Sequence, residues 1–219
     1  MKKVVLNYLL IAAIIISAAF TSCEKVDKKR SVELPISWFD GKITVKVENG
    51  DDFNSVETIK IFYPYWDETI REYVDYVYGI GNYSDGAFEI TLTHSVSDKV
   101  LKDIEKSLFV NGEENFYISD KTALIALISP SIFYAYDGNN NLIGNFSYYK
   151  KDVVNHTLAL FAYVNKNVTI IYTENYLVNM NLKSGWNVLY HTSILEPHQT
   201  LIEYSTKEVS GLKWYFNQR

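Results

Sequence analysis

Ser147 and Lys150 are spaced as in the Ser-x-x-Lys motif of acyl-transferring enzymes, where the lysine stands one helical turn from a serine nucleophile. Here they sit in an alternating segment, 142–149, that reads as a strand, and residues i and i+3 of a strand point to opposite faces. Asp137, Asn139 and Asn141 open with the spacing of a calcium loop, but the sixth position is Leu142 instead of Gly and the twelfth is Tyr148 instead of Glu. A hairpin turn accounts for them better. His94, His156, His191 and His198 are scattered, and only His191 and His198, with Glu196 between them, have a spacing that zinc could use; isolated polar side chains are the simpler reading. Gly-x-Ser-x-Gly, His-Glu-x-x-His and phosphate-loop motifs are all missing. A carboxylate pair for glycoside hydrolysis leaves no linear signature, so none is singled out among 26 acids. The sequence names no catalytic residue and implies no metal or other cofactor. Four Asn-x-Ser/Thr triplets, at Asn82, Asn145, Asn155 and Asn167, read as polar turn residues beside hydroxyls.

Binding chemistry is better represented. In the run Phe62-Tyr63-Pro64-Tyr65-Trp66, Pro64 is expected to end or edge a strand and leave Tyr65 and Trp66 on an adjoining loop. Flat amphipathic rings at such a rim stack on sugar faces or anchor a protein, which makes Tyr65 and Trp66 the candidate ligand contacts. The competing reading folds Trp66 back as a core plug. Trp186 and Trp214 alternate with polar or turn residues and are assigned to packing.

The elements that must position these residues read as strands from about residue 35 onward. Ile43, Val45 and Val47 alternate with polar residues before the turn at Asn49-Gly50-Asp51-Asp52, and Ile59, Ile61 and Tyr63 alternate after it. Segment 73–78 leans to strand through its Val and Tyr content, 88–93 is another strand, and 100–108 is the one amphipathic helix. Three hairpins are expected: 132–136 with 142–149, 157–164 with 168–173, and 176–182 with 186–192. Segments 201–205 and 212–216 close the chain. Eighteen Tyr and eleven Phe suit pleated surfaces, and turn signals recur at the spacing of sandwiches and barrels. The expected class is all-β, an antiparallel sandwich or barrel-like hairpin meander with one short helix. A polar seam near 111–115 divides an N-terminal β region, 37–115, from a C-terminal one, 116–219, which form two subdomains or share one core.

At the N-terminus, Lys2 and Lys3 precede an apolar run over 4–20 and then Thr21-Ser22-Cys23. That is the layout of a secretory signal, and the run is shorter than the roughly 20 residues of a full span. Phe20-Thr21-Ser22-Cys23 resembles a bacterial lipobox, with Phe20 where the commoner motif has Leu. The resemblance implies cleavage after residue 22 and lipid attachment at Cys23, the single cysteine of the chain. Several acyl chains give stable anchoring where one is marginal. Loss of the leader, with its two lysines and no acid, takes the formal charge from −5 to −7. Residues 23–36 begin with the charged run 24–30 and read as a tether. The acidic balance argues against nucleic acid as a partner.

The segments Ile43-Thr44-Val45-Lys46-Val47-Glu48-Asn49-Gly50, Asn82-Tyr83-Ser84-Asp85-Gly86-Ala87-Phe88-Glu89-Ile90-Thr91-Leu92, Leu182-Lys183-Ser184-Gly185-Trp186-Asn187-Val188 and Ser210-Gly211-Leu212-Lys213-Trp214-Tyr215-Phe216 resemble a family of uncharacterised Bacteroides-type lipoproteins. The resemblance implies lineage, an all-β fold and an outer-membrane location, on either the periplasmic or the surface face, and no activity. The leading expectation is a non-enzymatic, lipid-anchored envelope protein that binds a glycan or another envelope protein. A pilin-like subunit and a glycan-active enzyme without a linear signature are the alternatives. Because no other residue can take the lipid, Cys23→Ala is expected to abolish incorporation of labelled fatty acid and to remove the protein from the outer-membrane fraction. Label retained by the variant would refute the attachment site.

Overall fold

Alternating residues place one row of side chains inward on each strand, and the strands assemble around those rows. The structure is a computed structural model that describes residues 39–108, 117–152, 155–172, 176–196 and 200–219, without the side chains of Lys151 and Tyr176. The leader 1–22, Cys23, the tether, the polar seam and His198 lie outside the described residues. Strands make up 62% of what is described, and the chain is all-β.

In chain order the strands are β1 (Lys42–Lys46), β2 (Thr58–Asp67), β3 (Glu72–Ser84), β4 (Ala87–Leu92), β5 (Lys102–Asp103), β6 (Tyr117–Ile118), β7 (Leu124–Ile128) and β8 (Phe133–Tyr136). They continue with β9 (Leu142–Lys151), β10 (Asn155–Val164), β11 (Val168–Tyr172), β12 (Tyr176–Leu182), β13 (Gly185–Leu195), β14 (Thr200–Ser205) and β15 (Lys213–Gln218). Helix α1 (Ile104–Leu108) follows β5 directly.

The first part of the sheet runs β1-β4-β3-β2-β8-β9, and β15 lies on the other edge of β9. Val47 then bridges to Trp214, and Glu48 N donates to Trp214 O at 2.8 Å, so the sheet curls until its last strand meets the end of its first. Asp85 and Gly86, both at positive φ, make the two-residue turn between β3 and β4 that suits a twisted hairpin. Inside, Phe88, Phe133, Phe146, Phe161, Trp214 and Phe216 share one core with Ile43, Ile59, Ile61 and Ile90. The Trp214 ring lies 5.1 Å from the rings of both Phe88 and Phe133.

A second core holds Ile104, Leu108, Ile118, Ile125, Val164, Ile170, Met180 and Leu189. Strands β7, β10 and β13 separate the two. Phe161, Tyr163 and Trp186 face the first core, whereas Leu160, Ala162, Val164 and Leu189 face the second. β7 divides in the same way, with Ala126 and Ile128 on one side and Ile125 and Leu127 on the other. The runs Ala123-Leu124-Ile125-Ala126-Leu127-Ile128 and Leu158-Ala159-Leu160-Phe161-Ala162-Tyr163-Val164 are therefore apolar on both faces, as a strand buried on both sides must be. The first core draws residues from both sides of position 115.

Several local expectations change. The helix is only Ile104–Leu108, because Lys102 and Asp103 pair with Ile125 and Leu124 as a strand. β8 and β9 do form the expected hairpin, but β10 does not pair with β11, nor β12 with β13. β10 pairs with β13, and β11 with β12, so the chain turns a corner from the dividing wall to the opposite layer of the second core. Asn165 and Asn167 hold that corner: Asn165 Oδ1 accepts from Leu124 N and Asn167 Oδ1 from Ser184 N, each at 2.8 Å. β14 lies between β12 and β13, parallel to the first, so the sheet is mixed.

Trp186 and Trp214 are 3% and 4% exposed, and Trp186 Nε1 donates to Thr93 O at 2.7 Å. Truncating either to Ala is expected to cost about 3–5 kcal/mol in urea unfolding, a large part of a domain's stability. A loss below about 1 kcal/mol would contradict their place in the core.

Candidate functional site

β2 and β3 outrun their neighbours. β8 pairs with β2 only over Thr58–Ile61, and β4 with β3 only from Gly79 to Ser84, whereas β2 and β3 stay paired to Asp67 and Glu72. The remainder is a two-stranded arm, and Pro64 is tolerated because β2 has a neighbour on one side only at that point. Of the two expectations for Pro64, it edges the strand and does not end it, and the adjoining loop is corrected: Tyr65 and Trp66 lie within β2, opposite Val74 and Tyr73. The register shifts at the base of the arm, where Ile61 faces Gly79 but Phe62 faces Val77. Tyr78 is the extra residue of this bulge, and it turns into the first core against Trp186 and Tyr76.

The arm has two unlike faces. Asp67, Tyr65, Tyr63 and Tyr76 lie on the inner one, where the segment 93–101 crosses it. Tyr76 donates its hydroxyl to Ser95 O at 3.3 Å and accepts from Ser97 N at 3.1 Å. Asp67 accepts from Lys99 Nζ at 2.8 Å and from Thr69 N at 2.9 Å, and these bonds, the lysine's foremost, hold its carboxyl at about 2. Tyr65 is half-buried against the first core.

On the outer face Phe62, Pro64, Trp66, Tyr73 and Val77 form an apolar strip, interrupted by Asp75 opposite Pro64 and continued by Ile80. Trp66 is 45% exposed, Tyr73 74% and Ile80 57%, and the Trp66 and Tyr73 rings meet edge to face at 5.3 Å. Trp66 is thus no core plug, and the sequence pair Tyr65 and Trp66 is split between the faces. Tyr73, Val77 and Ile80 were not singled out from the sequence; recognising 68–71 as the turn of a hairpin would have set Tyr73 opposite Trp66.

Ile80 also borders an open trough of about 500 Å³ on the same outer face. Thr44, Asn82, Glu89 and Thr91 flank it, with Gly81 in its floor, where a Cβ would strike the carbonyl of Glu89. Glu89 is tied to Lys42 at 3.0 Å and accepts from Thr44 Oγ1 at 3.4 Å. The surface is a hydroxyl- and amide-lined depression leading onto an aromatic strip.

The motifs set aside in the sequence behave as local structure. Asp137 accepts from Asn139 N, Asn141 N and Asn141 Nδ2, closing the β8–β9 turn on itself. Lys150 pairs with Asp152, while Ser147 accepts from Asn217. Burial, and then the neighbouring His156, lower the pKa of His191. Among the described residues no three His, Cys, Asp or Glu side chains converge as metal ligands.

The depressed Asp67 value sets a pH dependence. Its folded-state pKa lies below the free value of 3.8, so its contribution is complete above that value and fades as pH falls toward about 2. Asp67→Asn is expected to melt below wild type at neutral pH, with the difference shrinking as both are taken to pH 2. A gap that persists undiminished there would mean that the carboxylate charge does not hold the arm.

No protein-family model matches the chain, and neither a curated protein nor a solved structure is similar to it.

Proposed function

We propose that this protein is a lipid-anchored binding module of the cell envelope, held at the outer membrane through Cys23, and that it engages a neutral glycan over the outer face of β1, β4, β3 and β2. One observation carries the reading: a strand pair extends past its sheet and keeps Trp66, Tyr73 and Val77 in solvent, with Ile80 exposed on the adjoining sheet, where a folded chain gains nothing from them. Aromatic faces stack on the apolar faces of sugar rings, and the trough beside Ile80 supplies Thr44, Asn82 and Thr91 for sugar hydroxyls. The acidic balance of the chain, with Glu68, Glu72 and Asp75 on the arm itself, favours an uncharged polymer over a polyanion. Trp66 and Tyr73 are the contact residues in this reading, and Tyr65 supports them from the inner face.

The full chain in detergent, applied to an array of bacterial and host polysaccharides, tests the proposal. Trp66→Ala and Tyr73→Ala are each expected to weaken glycan retention about tenfold, which corresponds to about 1.4 kcal/mol. A surface cross-strand pair contributes about 0.2–1 kcal/mol, so either variant should unfold within about 1 kcal/mol of wild type. Absence of glycan binding, together with a protein captured through the same two residues, would replace the glycan with a protein partner. If Trp66→Ala is as destabilised as Trp186→Ala, the strip is core and the proposal fails.

A further inference from the structure

A second concavity lies on the inner side of the arm, at an unpaired stretch of the dividing wall. β5 covers β7 only at Leu124 and Ile125, so the backbone of Ala126 and Leu127 has β10 on one side and no strand on the other. Along that open edge is a cavity of about 240 Å³, smaller than the usual drug-sized pocket. Val100, Ile125, Ala126 and Leu127 form its floor along the open backbone edge of β7, which makes the floor only partly apolar, and its polar side chains are Tyr63, Tyr78, Lys102 and Lys106 with Ser107.

The charge at this cavity does not cancel. Lys106 is neutralised by Asp103 at 2.8 Å. Lys102 has no carboxylate partner among the described residues; its ammonium sits 3.4 Å from the Tyr63 hydroxyl and 5.3 Å from the centre of that ring. Tyr78 is 2% exposed, and its hydroxyl takes no hydrogen bond among the described residues yet is not sealed from open space. Burial, with Tyr76 and Tyr63 nearby, pushes its pKa well above the ordinary phenol value, so it stays a donor at any physiological pH. The Tyr78 hydroxyl, open to the cavity, and the exposed Lys102 ammonium are both free to be offered to a ligand. One positive charge, one spare hydroxyl donor and a short, partly apolar floor together describe a complement of one negative charge with a short apolar tail. A dianion such as phosphate would leave charge unmatched and gain nothing from the floor.

We propose that this cavity binds a small aliphatic monocarboxylate, its carboxylate between Lys102 Nζ and the Tyr78 hydroxyl and its tail on Val100, Ile125, Ala126 and Leu127. The site is independent of the glycan face, because Trp66 and Tyr73 lie on the opposite side of the arm.

Hexanoate is the probe, with hexan-1-ol and inorganic phosphate as controls, each titrated into the ¹⁵N-labelled full chain in detergent at neutral pH and constant ionic strength. Hexanoate is expected to give saturable amide shifts at Lys102, Ala126 and Leu127, with hexan-1-ol and phosphate at least tenfold weaker. Lys102→Gln, a change on an exposed side chain, should weaken hexanoate at least tenfold. Tyr78→Phe, which keeps the ring and removes only the hydroxyl, should weaken it about threefold, and Trp66→Ala should leave it unchanged. Absence of saturation by hexanoate, equal binding of hexan-1-ol or phosphate, or undiminished binding by Lys102→Gln would each overturn the assignment. None of these outcomes bears on glycan retention.

Discussion

Both faces of β7, β10 and β13 are buried, and the rest of the molecule is arranged to bury them. A strand pair with one wet face needs one layer of cover, whereas this wall needs two, so the chain must supply a curled aromatic core on one side and an aliphatic one on the other. The division of labour follows from residue parity. Phe161 and Trp186 send rings one way, and Leu160, Ala162 and Leu189 send smaller side chains the other. Because a shift of one residue would exchange the two sets, the β10–β13 register, ten pairs from Asn155 with Ile194 to Val164 with Gly185, is fixed twice over. Large rings would be driven into the aliphatic core by such a one-residue slip.

The same economy leaves the arm free. The neighbour of β2 departs at Phe133, where the chain turns through Pro130–Ile132 to reach the wall, and on that side no strand among the described residues continues alongside Phe62 to Asp67. The bulge at Tyr78 lets β3 keep Tyr76 and Tyr78 inward on the arm and Gly79, Gly81 and Tyr83 inward on the sheet, two rows that strict alternation would set on opposite faces. An ion pair on the inner face, Asp67 with Lys99, fastens the arm without using its outer strip. The arm is thus held from behind, and its apolar strip stays in contact with solvent.

Alternation made most strands legible. Ile43 and Val45 in β1 with Val47 just after it, the β8–β9 hairpin about Asp137, and the inward Trp186 and Trp214 could all be read from spacing and turn residues. β7 could not, since Ala123 to Ile128 shows no alternation and is too short to tell a doubly buried strand from a helix turn. Pairing was less legible than strand identity: Asn165-Lys166-Asn167 looks like a hairpin turn, but its side chains fasten to Leu124 and Ser184, which lie far off in sequence. At the candidate site, Pro64 marked the right place for the wrong reason. It flagged Trp66 as exposed by suggesting a loop, when what exposes Trp66 is an edge of β2 with no partner. Lys102 and Tyr78 carried no signal at all, because the cavity they line exists only where β7 runs out of neighbours.

Closure of the first core through Val47 and Trp214 also constrains the order of events during folding. The contact joins residues 167 positions apart, counting from Val47 to Trp214, and it is reinforced by Asn49 Nδ2 donating to Phe216 O and by Lys213 pairing with Glu48. Such non-local pairing incurs its loop-closure entropy before any contact returns it, which places folding in the slow range of all-β topologies. The β2–β3 and β3–β4 hairpins can form early, yet Phe88 and Phe133 lack one ring neighbour until Trp214 docks. β15 therefore acts as a latch on the strands before it, and until it closes the curled sheet keeps an open aromatic seam.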